Sequence, residues 1–181
     1  MKIEETNIQD LVLITVDIYR DDRGYFKESY NQKRFEKVTK TKFVQDNESL
    51  SKKGVLRGLH FQRPPFAQAK LVRVIKGSIL DVAVDLRKNS PTFGEYFSHI
   101  ISDENKKQLF IPIGFAHGFL SLEDDTIVNY KCSEFYNKES EDSIVWNDET
   151  LKIDWGIDTP IIAEKDKNAQ KFSNFKNPFN F

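Results

Sequence analysis

The chain has 181 residues and one cysteine, with 27 Lys and Arg against 28 Asp and Glu. Its length fits a single domain, residues 1–181, that is large enough to bury a core without disulfides or metal ions. The balanced charge excludes attachment to nucleic acid or a membrane surface through a global field, and no run approaches the ~18 consecutive apolar residues of a membrane helix.

Short segments rich in β-branched and aromatic residues follow one another along the chain. The first covers residues 11–18, ends at the polar turn Asp21-Asp22-Arg23-Gly24 and is followed by a second extended segment over residues 25–30. Further strands are predicted over residues 43–50, 55–61, 69–75, 78–85, 95–102, 109–112, 116–122, 127–132 and 143–146. Turn residues separate nearly all of these segments, which is typical of an antiparallel sandwich or barrel.

Helical signals are few and short. Asn31 is a candidate N-cap for a helix over residues 32–38, and two more short helices are predicted over residues 103–107 and 164–171. The tail after Phe172 carries no clear pattern. The predicted fold class is therefore all-β, with a few short helices at its periphery.

The stretch from Gly54 to Gly77 concentrates polar chemistry in otherwise apolar strands. Arg57 and His60 stand among Val55, Leu56, Leu59 and Phe61, where a plain core would have no reason to hold them. A short Pro-Pro loop leads to the next strand, which brings Lys70 close to His60 in space. We therefore expect one cavity lined by polar side chains, namely Arg57, His60, Gln62, Gln68 and Lys70.

The three histidines do not fit a metal site. A metal-binding cupin places two histidines one residue apart on a strand, and here the position after Phe61 holds Gln62. His60 and His117 alone make a poor ligand set, and His99 is predicted to be an exposed strand residue. We expect no metal and no cofactor, with His60 available for proton transfer.

Several motifs, taken in order, resemble those of dTDP-4-dehydrorhamnose 3,5-epimerases, and the resemblance covers nearly the whole chain. The motifs are Gly54-Val-Leu-Arg-Gly-Leu-His-Phe-Gln62, Lys70-Leu-Val-Arg73, Asp81-Val-Ala-Val-Asp-Leu-Arg87, Ser90-Pro-Thr-Phe-Gly94, Ile111-Pro-Ile-Gly-Phe-Ala-His-Gly-Phe119, Tyr130-Lys131 and Trp146-Asn-Asp148. The resemblance implies a cupin-like double-stranded β-helix, or jelly roll. It also implies a homodimer with exchanged N-terminal strands.

The resemblance also implies the chemistry. The substrate would be dTDP-4-dehydro-6-deoxy-D-glucose, converted to dTDP-4-dehydro-L-rhamnose by removal and return of protons at C3 and C5. His60 matches the family's base, Asp166 the carboxylate that orients it, and Tyr130 the acid on the opposite face of the sugar. Lys70 matches the cation that stabilises the enolate oxygen. The alternation of Val128, Tyr130 and Cys132 independently places the phenol on the apolar, inward face of its strand.

Further positions match substrate contacts of the family. Arg23, Arg57 and His117 resemble residues that hold the diphosphate and sugar, and Arg23 is expected to serve the neighbouring subunit's site. The contacts to the nucleotide and sugar match Phe26, Glu28, Gln45, Asn47 and Tyr136. Asp81 and Asp85 share a predicted strand near the expected cavity. Their spacing allows two roles: one of them faces the cavity, or both form hydrogen bonds within the strand or a turn.

Two alternatives remain open at the level of sequence. The resemblance extends to enzymes on this scaffold that epimerise only C3 or C5 of another dTDP-linked deoxysugar. Phe61 stands where Tyr is frequent in the family, and Phe66 where many members carry a polar or aromatic residue. A non-catalytic jelly roll that binds sugar nucleotides is disfavoured because both His60 and Tyr130 are present. The single Cys132 and the charged start, Met1-Lys2-Ile3-Glu4-Glu5, favour a cytoplasmic protein.

Overall fold

The computed structural model describes residues 1–180 and contains two facing β-sheets. The first sheet has the strand order β1-β2-β10-β7-β12-β5, and all its pairings are antiparallel. Its strands are β1 (Lys2–Glu5), β2 (Val12–Thr15), β5 (Gln45–Ser51), β7 (Lys70–Lys76), β10 (Lys107–Ile111) and β12 (Thr126–Cys132).

The second sheet has the order β13-β6-β11-β8-β9, and β14 pairs in parallel with the start of β6. Its strands are β6 (Val55–Gln62), β8 (Ser78–Asp85), β9 (Tyr96–Ser102), β11 (Phe115–Ser121), β13 (Glu141–Ser143) and β14 (Ile161–Ile162). A separate hairpin joins β3 (Tyr19–Asp21) to β4 (Gly24–Phe26). Two such sheets with few helices form a jelly roll, so the predicted fold class is confirmed.

The main core fills the space between the two sheets. Val72, Val74 and Leu109 from the first sheet pack in one cluster with Ile79 and Ile101 from the second. Period-two alternation explains this arrangement, because every second residue of a strand points to the same face. The polar cavity described below also lies between the two sheets.

The helical predictions had mixed outcomes. Helix α1 spans Gln32–Thr39 and begins as predicted, with the Asn31 side chain accepting a hydrogen bond from the backbone N–H of Arg34. Residues 103–107 form no helix, so that prediction was wrong. Asn105 instead accepts bonds from the N–H groups of Ser102 and Lys107, and Lys106 adopts a φ of 56° in a tight turn between β9 and β10.

Helix α2 is shorter than predicted, since it spans only Glu164–Lys167. A 3₁₀ turn at Phe172–Asn174 follows, and the ring of Phe175 then packs edge-on against Phe61 at 5.3 Å between centroids. The tail, which had no predicted structure, thus packs against a second core cluster, which includes Leu56, Phe61 and Val82. None of the helices in residues 1–180 is long and apolar enough to span a membrane.

Candidate active site

A polar cavity of about 500 Å³ lies between the two sheets. A hollow of about 560 Å³ adjoins it and shares several lining residues with it, among them Arg57, His60 and Tyr130. The polar side chains that line the first cavity are Ser49, Arg57, His60, Lys70, His117, Tyr130, Glu141, Lys165 and Asp166. All five residues expected from the Gly54–Gly77 stretch line this pair of hollows.

His60 and Asp166 form a hydrogen-bonded pair at the cavity wall. The His60 Nε2–H donates to Asp166 Oδ1 at 2.7 Å, and the Gly58 backbone N–H donates to the second carboxylate oxygen at 3.4 Å. Asp166 is 2% exposed. Burial by itself would raise the pKa of Asp166, but the bond and charge of His60 hold it below its usual range. With Nε2 held as a donor, Nδ1 is the basic nitrogen left for a substrate.

The C-terminal segment brings Asp166 to His60 across 106 positions of sequence. Ile161 and Ile162 of β14 pair in parallel with Val55 and Leu56 at the start of β6. Helix α2 begins two residues later, and its third residue is Asp166. The strand pairing therefore sets the position of the carboxylate along β6.

Two glycines set the geometry of the neighbouring strands. Gly58 has a φ of 124°, and a Cβ there would lie 2.5 Å from Gly118 Cα and 2.7 Å from the His117 carbonyl oxygen. A Cβ on Gly118 would lie 2.8 Å from the Arg57 carbonyl oxygen. Only glycine permits this close approach, which accompanies a register shift in β11. The result is that His60 and His117 stand directly opposite each other.

Tyr130 enters the cavity from the opposite sheet. Its strand neighbours Val128 and Cys132 are buried, as the alternation predicted, and Tyr130 packs against the main core cluster. Burial raises the pKa of the phenol above its ordinary value, so it is protonated near neutral pH. A protonated phenol on one sheet thus faces the His60–Asp166 pair on the other.

Lys70 lies beside Tyr130, with its Nζ 5.8 Å from the centre of the ring. Burial lowers the pKa of this ammonium, while the nearby Cys132, Asp81 and Glu141 act to raise it. A cation so placed can stabilise negative charge that develops on a bound carbonyl oxygen.

A second pair joins His117 to Asp81. His117 Nε2–H donates to Asp81 Oδ1 at 2.6 Å, and both residues are buried. Asp85, four residues further along β8, is tied instead to Arg87, Ser90 and Thr92 at the strand end. The two aspartates left open by the sequence therefore differ: Asp81 contacts a cavity residue and Asp85 braces a turn.

The polar side chains around the adjoining hollow also form hydrogen bonds that hold its surrounding segments together. The Gln45 side chain accepts a bond from the backbone N–H of Tyr136 and donates to Asn47, and all three residues line the hollow. Gln62 and Gln68 donate to backbone carbonyls of the loop that carries Tyr136, at Phe135 and Glu134. Arg57 lines both hollows and donates to the Ser51 side chain.

Three of the expected binding residues lie outside the cavity of their own chain. Arg23 lies on the β3–β4 hairpin and pairs with Asp21, and Phe26 on the same hairpin is 68% exposed. Glu28 pairs with Arg34 at 3.4 Å. None of the three lines the two hollows described above. His99 is a partly buried strand residue that stacks on Phe97, also away from the cavity.

Two charged residues of the cavity, Glu141 and Lys165, were not predicted from the sequence. Glu141 accepts bonds from the Tyr136 hydroxyl and from Lys165 Nζ, both at 3.1 Å, and both charged residues line the main cavity. In sequence both lie in runs rich in charged residues, at 139–142 and 164–167, which is the pattern of a solvated surface. Their one available signal is the position of Lys165 immediately before Asp166.

Residues 1–180 contain no cluster of three or more His, Cys, Asp or Glu side chains arranged to hold a metal ion. The histidines of the cavity are each bonded to a single aspartate instead. The chemistry available to these residues is acid–base transfer with electrostatic support from Lys70.

Comparison with known proteins identifies close relatives. A family model described as dTDP-4-dehydrorhamnose 3,5-epimerase matches residues 5–174. The chain is 54% identical to the enzyme of that name from Methanothermobacter thermautotrophicus, covering 91% of this chain and 90% of that protein. It resembles the crystal structure of an Elizabethkingia anophelis enzyme of that name at 50% identity, with a TM-score of 0.92 and 98% coverage of each chain.

A Legionella pneumophila epimerase solved in complex with dTDP-4-keto-L-rhamnose is also similar, at 46% identity and a TM-score of 0.92. The match covers 97% of this chain and 94% of that one.

Proposed function

This chain belongs to the dTDP-4-dehydrorhamnose 3,5-epimerase family, and from that premise we propose how its cavity carries out the reaction. The protein is an isomerase that converts dTDP-4-dehydro-6-deoxy-D-glucose to dTDP-4-dehydro-L-rhamnose. The reaction inverts C3 and C5, which flank the C4 ketone.

The observation that carries the mechanism is the placement of His60 and Tyr130 on facing sheets of one cavity. Inversion requires a base on one face of the sugar ring and an acid on the other. We assign the base to His60 Nδ1 and the acid to the Tyr130 hydroxyl. Each carbon beside the ketone would present its proton to His60 and receive another from Tyr130.

Asp166 and Lys70 support the charges that form during the transfer. When His60 takes the proton it becomes an imidazolium, and the negative charge of the buried Asp166 stabilises it. The enolate places negative charge on the C4 oxygen, where the Lys70 ammonium would stabilise it. The chemistry so assigned uses side chains alone and requires no cofactor.

The adjoining hollow fits the nucleotide part of the substrate. Tyr136 offers an exposed aromatic face for a base, and the amides of Gln45 and Asn47 offer donors and acceptors for its edge. Arg57 and His117 would hold the sugar and diphosphate. Arg57 lines both hollows, and its positive charge suits the diphosphate that joins the nucleoside to the sugar.

The function is tested by incubating the purified protein with dTDP-4-dehydro-6-deoxy-D-glucose and determining the product configuration by proton NMR. The expected product is inverted at both C3 and C5. A product inverted at one carbon only would support a mono-epimerase. Recovery of unchanged substrate, with dTDP still bound, would support a non-catalytic sugar-nucleotide-binding protein.

We propose further that the β3–β4 hairpin completes the cavity of a second subunit. Tyr19 and Phe26 on this hairpin are 64% and 68% exposed, an unusual surface for two aromatic side chains. Arg23 at its tip does not line its own chain's cavity, and its guanidinium suits a diphosphate. A homodimer with exchanged hairpins would bring Phe26 and Arg23 to the partner's cavity. Glu28, just beyond β4, would accompany them.

Complementation between two variants tests this exchange. Arg23→Ala and His60→Asn are each expected to be nearly inactive as homodimers. A mixed dimer, purified through two different tags, would combine the intact cavity of one subunit with the intact hairpin of the other. It should regain about half of the wild-type activity, because one of its two sites is complete. A mixed dimer as inactive as its parents would show that Arg23 acts within its own chain.

A further inference from the structure

Asp81 is a buried carboxylate that the mechanism above does not use. It is 0% exposed, and only its Oδ1 has a partner, the Nε2–H of His117 at 2.6 Å. Its Oδ2 is buried with no hydrogen-bond partner in residues 1–180. A buried carboxylate with an unsatisfied oxygen costs stability, so the fold tolerates Asp81 at a cost that a role in the site would explain.

The surroundings of Asp81 are those of the reacting groups. His117, to which it bonds, lines the cavity and lies opposite His60 in the strand register. Lys70 from β7, Tyr130 from β12 and Glu141 from β13 line the same cavity as His117, and Cys132, two residues after Tyr130, is buried on the same face of β12. Two carboxylates, Asp81 and Glu141, raise the pKa of Lys70 by their negative charge. Asp81 is fully buried, whereas Glu141 also accepts hydrogen bonds from Lys165 and Tyr136.

We propose that Asp81 is a positioning residue for the epimerisation, acting on the cavity through His117 and Lys70. Its bond holds His117 as the Nε2–H tautomer, so that Nδ1 is left as an acceptor for a sugar hydroxyl. Its negative charge favours the ammonium form of Lys70 beside the carbonyl oxygen. The roles of His117 and Lys70 in turnover rest on the proposed function, whereas the tautomer of His117 does not depend on it.

The two effects follow from the same charge. Burial lowers the pKa of Lys70 and of His117, and Asp81 opposes both shifts. Removing the charge would therefore lower the pKa of Lys70 further, and a smaller fraction would be ammonium at a given pH. If activity depends on the ammonium form of Lys70, the loss of activity at alkaline pH would then begin at a lower pH than in the wild type.

The first measurement needs neither a variant nor a substrate. Nitrogen-15 NMR of the side chains in the wild-type protein reports the tautomer of each histidine, and the chain has only three. His117 is expected as Nε2–H, with Nδ1 unprotonated near neutral pH. An Nδ1–H tautomer, or rapid exchange between the two, would overturn the proposal whether or not the protein is an epimerase.

The second measurement is the pH profile of kcat/KM for Asp81→Asn, which keeps the shape of the side chain and removes its charge. Its alkaline limb should move down by about one pH unit. Asp85→Asn is the matched control, because Asp85 is an equally buried carboxylate on the same strand, bonded to Arg87 and Ser90. That control should lower the melting temperature and leave the limb in place. An unmoved limb in Asp81→Asn, or an equal shift in both variants, would refute the charge effect.

Discussion

Replacing His60 with asparagine is expected to abolish epimerisation while dTDP binding remains. Asparagine is shorter than histidine and does not reach the position of Nε2, so Asp166 would keep the Gly58 backbone N–H as its donor, and no basic nitrogen would face the cavity. Loss of a general base typically lowers the rate by ~10² to 10⁴. The nucleotide contacts around Tyr136 and Gln45 are separate from His60, and isothermal titration with dTDP should therefore give an affinity close to that of the wild type.

His99→Asn is the matched control for this substitution. His99 lies on β9, stacks on Phe97 and does not line the cavity. The His99→Asn substitution makes the same chemical change outside the site, and we expect this variant to turn over substrate at the wild-type rate. Turnover retained in His60→Asn would show that another residue removes the proton. Loss of dTDP binding in that variant would instead indicate a disrupted cavity.

Replacing Tyr130 with phenylalanine is expected to separate proton exchange from inversion. The ring would keep its packing against the core cluster and its contact with Lys70, while the transferable proton would be lost. In deuterated water His60 would still remove a proton and return deuterium to the same face. Inversion should fall by ~10² to 10⁴, and exchange should fall much less.

Tyr30→Phe is the control, since the Tyr30 ring packs beside Phe35 and does not line the cavity. It should be fully active. If Tyr130→Phe loses exchange and inversion equally, the phenol chiefly positions the substrate. If inversion proceeds at the wild-type rate, the assignment of Tyr130 as proton donor is wrong.

The elements that could be predicted from sequence are those with a strong local cause. The β-branched run of β8 was predicted over residues 78–85, its observed bounds Ser78–Asp85, and the Asn31 cap marked the start of α1. The turn at Asn105 was misread as a helix because its polar residues suit both structures. Strand β14 has two residues and pairs with a strand about a hundred positions away, so no local pattern indicates it.

The site shows the same division. The short loop between β6 and β7 allowed His60 and Lys70 to be grouped from spacing, and the alternation on β12 turned Tyr130 inward. The pairing of His60 with Asp166 depends on long-range contacts and was expected only through the family resemblance. Asp81 could not be distinguished from Asp85 because the partner of Asp81, His117, lies 36 positions away in sequence and is brought to it only by the fold.

The most direct test of the proton-transfer mechanism is proton NMR of the reaction in deuterated water, following C3 and C5 separately. With the wild-type enzyme, both carbon positions should lose their proton signals as the inverted product forms, because the incoming protons come from solvent-exchanged groups. With His60→Asn, both signals should persist. Inversion without loss of the C3 and C5 proton signals, or continued exchange in His60→Asn, would contradict the assignment of His60 as the base.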